Sequence, residues 1–178
     1  MANIAPATSI CAMMCQDMES LDRTDRSILN ALQHDGRMSN VALAEEVNLS
    51  PSPCLRRLKR LEENGVIAGY RAVLDRRRVG LGLTLFVEIK VTGHGEDRAA
   101  SLETAFNEME EVVAAHIVSG PSADFLLEIV VRDLEAYEQL LLKRLLTLPG
   151  VADVNSRFSL RTIKSSGPLP LSHLRARR

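Results

Sequence analysis

An α+β fold in two parts is what this chain predicts: three short helices, then a unit in the order β-α-β-β-α-β. Two patterns carry that reading. Between residues 21 and 64, apolar residues recur at helical spacing in three runs divided by short polar turns. From residue 84 onward, period-two alternation and helical periodicity take turns instead. Length and composition agree, since 178 residues with 46% apolar and 25% charged content suit one large folded domain or two small ones.

The first helix starts near Asp22. Leu21, Ile28, Leu29 and Leu32 give it a buried stripe interrupted by Asp25, and Asp35-Gly36 ends it. In the second, Val41, Leu43, Ala44 and Val47 share a face, with Glu45 and Glu46 on the other. Asn48-Leu49-Ser50 is a turn too short for anything but a sharp angle. Ser50 suits an N-cap, and Pro51 the first helical position, where no backbone N–H is required. From there Leu55, Leu58 and Leu61 form one stripe, with Ser52, Arg56, Lys59, Arg60 and Glu63 roughly opposite. Two helices joined by a tight turn, the second with a basic face, match a DNA-reading helix-turn-helix. A helical hairpin with a merely solvated second helix has the same pattern, so the pair alone favours DNA only modestly. VIAGYRAVLD (66–75) reads as an extended segment, where a winged helix-turn-helix places its hairpin. Arg76–Arg78, Gly80 and Gly82 then read as a linker, its arginines either solvated or set against phosphate. The expected boundaries are 21–75 for the helical domain and 76–83 for the linker.

In the second part (84–164), TLFVEIKV (84–91) alternates and predicts a strand. Residues 96–109 put Ala99, Leu102, Phe106 and Met109 on one helical stripe. Residues 112–120 and 124–131 predict two strands around a Gly-Pro turn. Residues 133–148 predict a helix with Leu134, Tyr137, Leu141, Leu145 and Leu148 inward, stopped by Pro149-Gly150. Residues 151–164 close the unit, with Val154, Phe158 and Leu160 on one side. This order is a ferredoxin-like split unit with helices on one face of its sheet. Phe125, Leu127, Ile129 and Val131 fill one face of the third strand while Leu126 and Val130 occupy the other, as in a sheet covered on both sides. A second protomer's sheet is the expected cover, so the unit is expected to dimerise through its sheet.

The net charge of −1 conceals an asymmetry. Residues 21–80 hold 11 Lys+Arg against 8 Asp+Glu, while residues 81–164 hold 8 against 13. The excess cations sit with the helix pair, as expected of a nucleic-acid-facing module joined to something else. Cys11, Cys15 and Cys54 form no even disulfide framework, and Cys11 and Cys15 lack further ligands nearby for a metal site. No apolar run reaches membrane-spanning length, and the first 20 residues lack a basic flank before an apolar core, so the expected location is cytoplasmic. Those 20 residues read as a disordered tail, or as an over-extended start with the natural initiator at Met18. No nucleophile–base pair, phosphate loop or metal-spaced His/Cys set is present, which argues against an enzyme.

LDRTDRSILNALQHDGRMSNVALAEEVNLSPSPCLRRLKRLEENGVIAGYRAVLD, followed by HIVSGPSADFLLEIVV and LPGVADVNSRFSLRTIK, resembles the leucine-responsive regulatory protein/asparagine-synthase regulator (Lrp/AsnC) family. The similarity runs from Leu21 to Lys164, and its most specific stretches are Leu21–Leu32 with its Asp-Arg-x-Asp spacing, Leu49–Leu61 and Glu62–Tyr70. The resemblance implies a winged helix-turn-helix followed by a ferredoxin-like effector domain that dimerises, often assembles further, up to an octamer, and binds small amino acids between protomers. It places Ser52, Pro53, Arg56, Arg57 and Arg60 at the major groove or its walls, with Ser50 and Lys59 suited to phosphate. It also places an effector loop at Ser119–Asp124, where Ser119, Gly120 and Asp124 would bind ligand: backbone N–H groups face a carboxylate and Asp124 accepts from an ammonium. The loop is one residue longer than the family's commoner Gly-x-x-Asp spacing, and Asp124 as a turn cap is an equal alternative. His116 reads as an interface residue. Residues 165–178 form a basic tail, its Pro-Leu stretch ordered and its end loose. Together these expectations describe a DNA-binding transcriptional regulator of double-stranded DNA with an amino-acid effector and no other cofactor or metal. An architectural DNA-binding protein without an effector is the alternative.

Overall fold

The computed structural model describes residues 21–93, 96–165 and 167–174. The expectations for residues 1–20, including Cys11, Cys15 and Met18, and for the loose basic end at Arg175–Arg178 lie outside them. Two compact units are present: one holds the chain through Arg71 and again from Lys164, the other Ala72–Ile163. The expected linker therefore falls within the second unit, where Arg76 Nη1 lies 2.8 Å from Glu128 Oε1. Lys164, expected to end the second part, and the described residues of the expected 165–178 tail group with the helices.

In the first unit, α1 spans Arg23–His34, α2 Asn40–Glu46 and α3 Pro51–Glu63. A capping box starts α1: Asp22 accepts from the Asp25 N–H and Asp25 from the Asp22 N–H, satisfying two donors that a helix start leaves orphaned. Ser39 caps α2 through the Ala42 N–H. Ser50 occupies the N-cap of α3 with no side-chain cap bond, so Pro51 alone favours that start. The intervening turn passes through Asn48 at φ 56°, a left-handed conformation that asparagine tolerates. Its return is closed by the Leu49 N–H on the Ala44 carbonyl.

Ile28, Leu29, Leu43, Ala44, Cys54 and Leu61 form the core of this unit. Cys54 replaces Leu55 in the expected stripe, Leu55 being 41% exposed. The helix is thus turned about its axis relative to the Leu55–Leu58–Leu61 reading, which swings Arg57 and Arg60 towards α1. No paired strand forms over 68–75, within the segment expected to be extended. The 169–174 segment packs here instead: Leu171 joins the core, and Gln33 bonds both the N–H and the carbonyl of Leu169.

The second unit is a four-stranded antiparallel sheet in the order β2-β3-β1-β4, with β1 Leu83–Val91, β2 Val112–Ile117, β3 Phe125–Val131 and β4 Val151–Phe158. Helices α4 (Glu96–Asn107) and α5 (Leu134–Leu140) join β1 to β2 and β3 to β4. One sheet face carries Leu85, Val87, Ile89, Phe125, Leu127 and Ile129, which pack with Leu102, Phe106, Tyr137 and Leu140 from the helices. The helix expected over 133–148 is α only to Leu140 and finishes as a π turn, Leu141–Leu145. Leu134, expected inward, is 61% exposed, because the first turn capped by Asp133 precedes contact with the sheet. The last strand stops at Phe158, leaving Leu160 at 95% exposure rather than in the core. By pairing register, the helix-free face carries Phe86, Leu126, Val130 and Ala114 among charged neighbours, including Glu88 with Arg157 3.0 Å away.

Candidate nucleic-acid interface and ligand loop

Helix α3 divides its polar residues between two tasks. Ser52, Arg56 and Lys59 lie opposite the Cys54–Leu58–Leu61 side and are exposed, and no ion-pair partner of Arg56 or Lys59 is present among the described residues. Pro53 is half-buried beside them. Arg57 and Arg60 point towards α1. Arg57 Nη1 lies 2.6 Å from Asp22 Oδ2 and 2.8 Å from Asp25 Oδ1, and Arg60 Nη2 lies 2.7 Å from Asp25 Oδ2. Asp25 is fully buried, against the expectation that it interrupts the stripe from outside the core. A buried carboxylate is tolerable only when paired and hydrogen-bonded, and two guanidiniums plus the Asp22 N–H meet that condition.

The electrostatics follow the contacts. Burial alone would raise the Asp22 carboxyl, but the Asp25 backbone N–H and the Arg57 guanidinium outweigh it and hold it below its ordinary value. Hydrogen bonds to Asp25 and Asp22 raise Arg57 further, against the effect of burial. Tyr70, just beyond α3, is pushed up to about 12, chiefly by burial and then by its bond to Glu62. The two helices of the pair are also tied directly, Asn40 Nδ2 donating to the Pro51 carbonyl at 3.0 Å. This bond and the Asp22–Asp25–Arg57–Arg60 cluster went unread in the sequence. The Asp-Arg-x-Asp spacing was its visible signal, though spacing alone does not say which basic residues those acids meet.

At the other candidate site, the loop after β2 is pinned at its base. Val118 N–H donates to the Asp124 carbonyl and Asp124 N–H to the Ile89 carbonyl, each at 2.9 Å. The Asp124 carboxylate accepts from the Val91 N–H at 2.9 Å and the Lys90 ammonium at 3.1 Å. Ser119 and Gly120 are exposed, and nothing lies within 4 Å of the position a side chain at Gly120 would take. Within the described chain, the three loop residues are therefore not equivalent. Asp124 anchors the loop on β1, whereas Ser119 and Gly120 are exposed. His116 pairs with Leu126 across the β2–β3 ladder and is exposed. Among the described residues, no group of three or more His, Cys, Asp or Glu is placed to hold a metal ion, and no helix is long and apolar enough to cross a membrane.

Comparison with known proteins bears on both sites. A model of winged helix-turn-helix DNA-binding domains matches residues 21–68, and a model of the Lrp/AsnC ligand binding domain matches residues 84–169. The leucine-responsive regulatory protein of Escherichia coli K12 is 44% identical over 151 residues, covering 85% of this chain and 92% of its own. A transcriptional regulator of Neisseria meningitidis, solved as a complex with L-methionine, is 40% identical, with a TM-score of 0.82 over 86% of this chain and 99% of its own. An AsnC family transcriptional regulator from Agrobacterium tumefaciens is 36% identical, with a TM-score of 0.81 over 85% of this chain and 98% of its own. With both halves matched in order and identity at this level over nearly the full length of such relatives, the chain belongs to the Lrp/AsnC family of DNA-binding transcriptional regulators.

Proposed function

We propose that this regulator reads a pseudo-palindromic operator as a homodimer, with Ser52, Pro53, Arg56 and Lys59 of α3 in the major groove or on its walls. The carrying observation is that Arg56 and Lys59 are exposed while the adjacent Arg57 and Arg60 are held by Asp25. Arginine bonds guanine O6 and N7 together, so Arg56 is the base reader, whereas Lys59, Ser50 and the first amides of α3 hold phosphate. Arg57 and Arg60 contribute by setting the helix in place and reach DNA only at its edge. A two-fold dimer sets the two α3 helices about 34 Å apart, one turn of duplex. The dimer contact assigned to the second unit is its helix-free sheet face, with Phe86, Leu126 and Val130 as the apolar centre. Larger assemblies up to an octamer build on that pair.

The Ser119–Asp124 loop takes a small amino acid or a closely related metabolite between protomers. Asp124 fixes the loop and offers carboxylate charge to an ammonium, while Ser119 and the Gly120 N–H receive the ligand's carboxylate. The L-methionine bound by the Neisseria meningitidis protein supports this ligand class. Ligand and DNA then communicate through assembly geometry, since the two sites belong to different units.

The test is equilibrium DNA binding by fluorescence anisotropy with Arg56→Ala and Lys59→Ala. Arg56→Ala should weaken the preferred sequence by about 1–3 kcal/mol and relax its specificity, while Lys59→Ala should weaken all sequences and lower the salt slope by about 1. Unchanged binding in both would reject this recognition face. For the ligand, millimolar amino acids should raise the melting temperature of the wild-type chain and not of Ser119→Ala with Gly120→Pro. No shift with any amino acid would reject the effector class.

A further inference from the structure

A row of three charges crosses the end of the sheet nearest the Ser119–Asp124 loop. In the β1–β4 ladder Lys90 stands opposite Asp153. The β1–β3 ladder ends with Ile89 opposite Phe125, which sets Asp124 beside Lys90 on the other flank. The Asp124 N–H bonds the Ile89 carbonyl at 2.9 Å and keeps that alignment. Lys90 therefore lies between two carboxylates, one at the end of the loop and one on the edge strand β4. Its ammonium sits on the first, 3.1 Å from Asp124 Oδ1, with the two side chains 33% and 20% exposed. Asp153 is exposed and has no ion pair among the described residues. Other charges of this face are already paired: Glu88 meets Arg157 at 3.0 Å and Glu128 meets Arg76 at 2.8 Å.

We propose that Lys90 is a resident counter-ion: it holds the seat on Asp124 that a ligand's ammonium takes, and yields it by swinging across to Asp153. The inference rests on the reading of Ser119–Asp124 as an amino-acid loop and adds how that loop admits its ligand. Asp124 already accepts from the Val91 N–H at 2.9 Å and from Lys90, so an incoming ammonium meets a carboxylate whose charge is matched. A second cation at contact distance from the first is repelled by it, and one of them has to leave. Directly opposite residues on adjacent strands hold their Cβ atoms about 4.5–5.5 Å apart, and lysine carries a point charge on a flexible four-carbon stem. Asp153 is therefore within the swing of Lys90. The exchange replaces one cation by another on Asp124, so the loop keeps its anchor through the Val91 N–H. Entry of the ligand then costs only the difference between two lysine pairings rather than the loss of one.

The experiment is isothermal titration of the full chain as wild type, Lys90→Met, Asp153→Asn and the double variant. The probe is whichever common amino acid raises the melting temperature of wild type or Lys90→Met most, together with the 2-oxo acid of the same side chain, which lacks the ammonium. Lys90→Met empties the seat and should tighten the amino acid by about 2- to 5-fold, the worth of one partly exposed ion pair. Asp153→Asn removes the lysine's second partner and should weaken it by a similar factor, yet change nothing in the Lys90→Met background. The 2-oxo acid should gain nothing from Lys90→Met. Equal or weaker binding of the amino acid by Lys90→Met overturns the proposal, as does an equal gain for the 2-oxo acid. An Asp153→Asn variant that binds as wild type, or that loses the same factor in both backgrounds, overturns the transfer to Asp153. If wild type and Lys90→Met both bind no amino acid, the effector reading itself fails, and this proposal with it.

Discussion

Replacing Asp25 by asparagine keeps the shape of the side chain and removes its charge, which makes it the sharpest probe of how α3 is held. Asp25 is fully buried and accepts from Arg57 at 2.8 Å and Arg60 at 2.7 Å. Hydrogen bonds to charged groups contribute about 1.5–3 kcal/mol each, and breaking a buried pair costs about 3–5 kcal/mol when the remaining partner is trapped in the interior. Here the partners are not trapped: the side chains of Arg57 and Arg60 are 31% and 44% exposed, so both recover hydration and solvent already screens the attraction. Asparagine also keeps an oxygen for the Asp22 N–H. The expected loss is therefore about 2–3 kcal/mol. For a unit of this size, each kcal/mol moves the midpoint by about 4–8 °C, so the transition of the first unit should fall by roughly 8–24 °C. Differential scanning calorimetry reads this, with the second unit's transition as an internal control. A double-mutant cycle with Arg57→Ala should be strongly non-additive, because the second substitution removes a partner already lost. DNA binding adds the contrast that matters: Arg56→Ala should leave the transition where it is and weaken DNA, whereas Arg57→Ala should do mainly the reverse. If Asp25→Asn melts within about 2 °C of wild type, or its effect adds simply to that of Arg57→Ala, the clamp does not hold the helix and the division of labour on α3 falls with it.

Two further outcomes follow from the same geometry. The Asp22 carboxyl is held below its ordinary value of 3.8, so its share of stability is complete above that pH and is lost as pH falls through the lower folded value. An acid titration of the melting midpoint should therefore show a decline below the ordinary value that Asp22→Asn makes shallower. Leu127, on the central part of the sheet, has no exposed surface, and Leu127→Ala should cost about 2–5 kcal/mol in urea denaturation of the second unit. A smaller loss would mean that the sheet collapses onto the gap.

Much of this molecule was legible because its signals are local. Asp22 and Asp133 each sit where a helix begins, and alternation over 84–91 and 125–131 marks two strands whose alternate residues enter the core. What escaped depends on contacts distant in sequence. Asp25 seemed misplaced on an apolar stripe because its partners lie 32 and 35 residues away. The choice between Leu55 and Cys54 as the inward residue is a rotation of one position on the wheel, small in a periodicity plot, yet it decides whether Arg57 faces solvent or α1. Asp124 was read equally well as a ligand group or a cap, since only the fold brings the end of β1 against it. Periodicity alone points Leu160 and Leu134 inward, and it continues past the point where the partner surface stops.

The double entry of the chain into its first unit has a consequence for how such regulators can be taken apart. A cut in the stretch after Arg71 looks like a clean domain boundary in the sequence, but the fragment it releases lacks Leu171 from its core and the partners of Gln33 and Arg26. Grafting a foreign helix-turn-helix at that point leaves the mismatch in reverse, with residues 169–174 meeting an unfamiliar α1. Moving residues 21–71 and 164–178 as a matched pair keeps the first unit's core whole, and, if the proposed recognition face holds, exchanging the exposed positions of α3 alone leaves that core untouched.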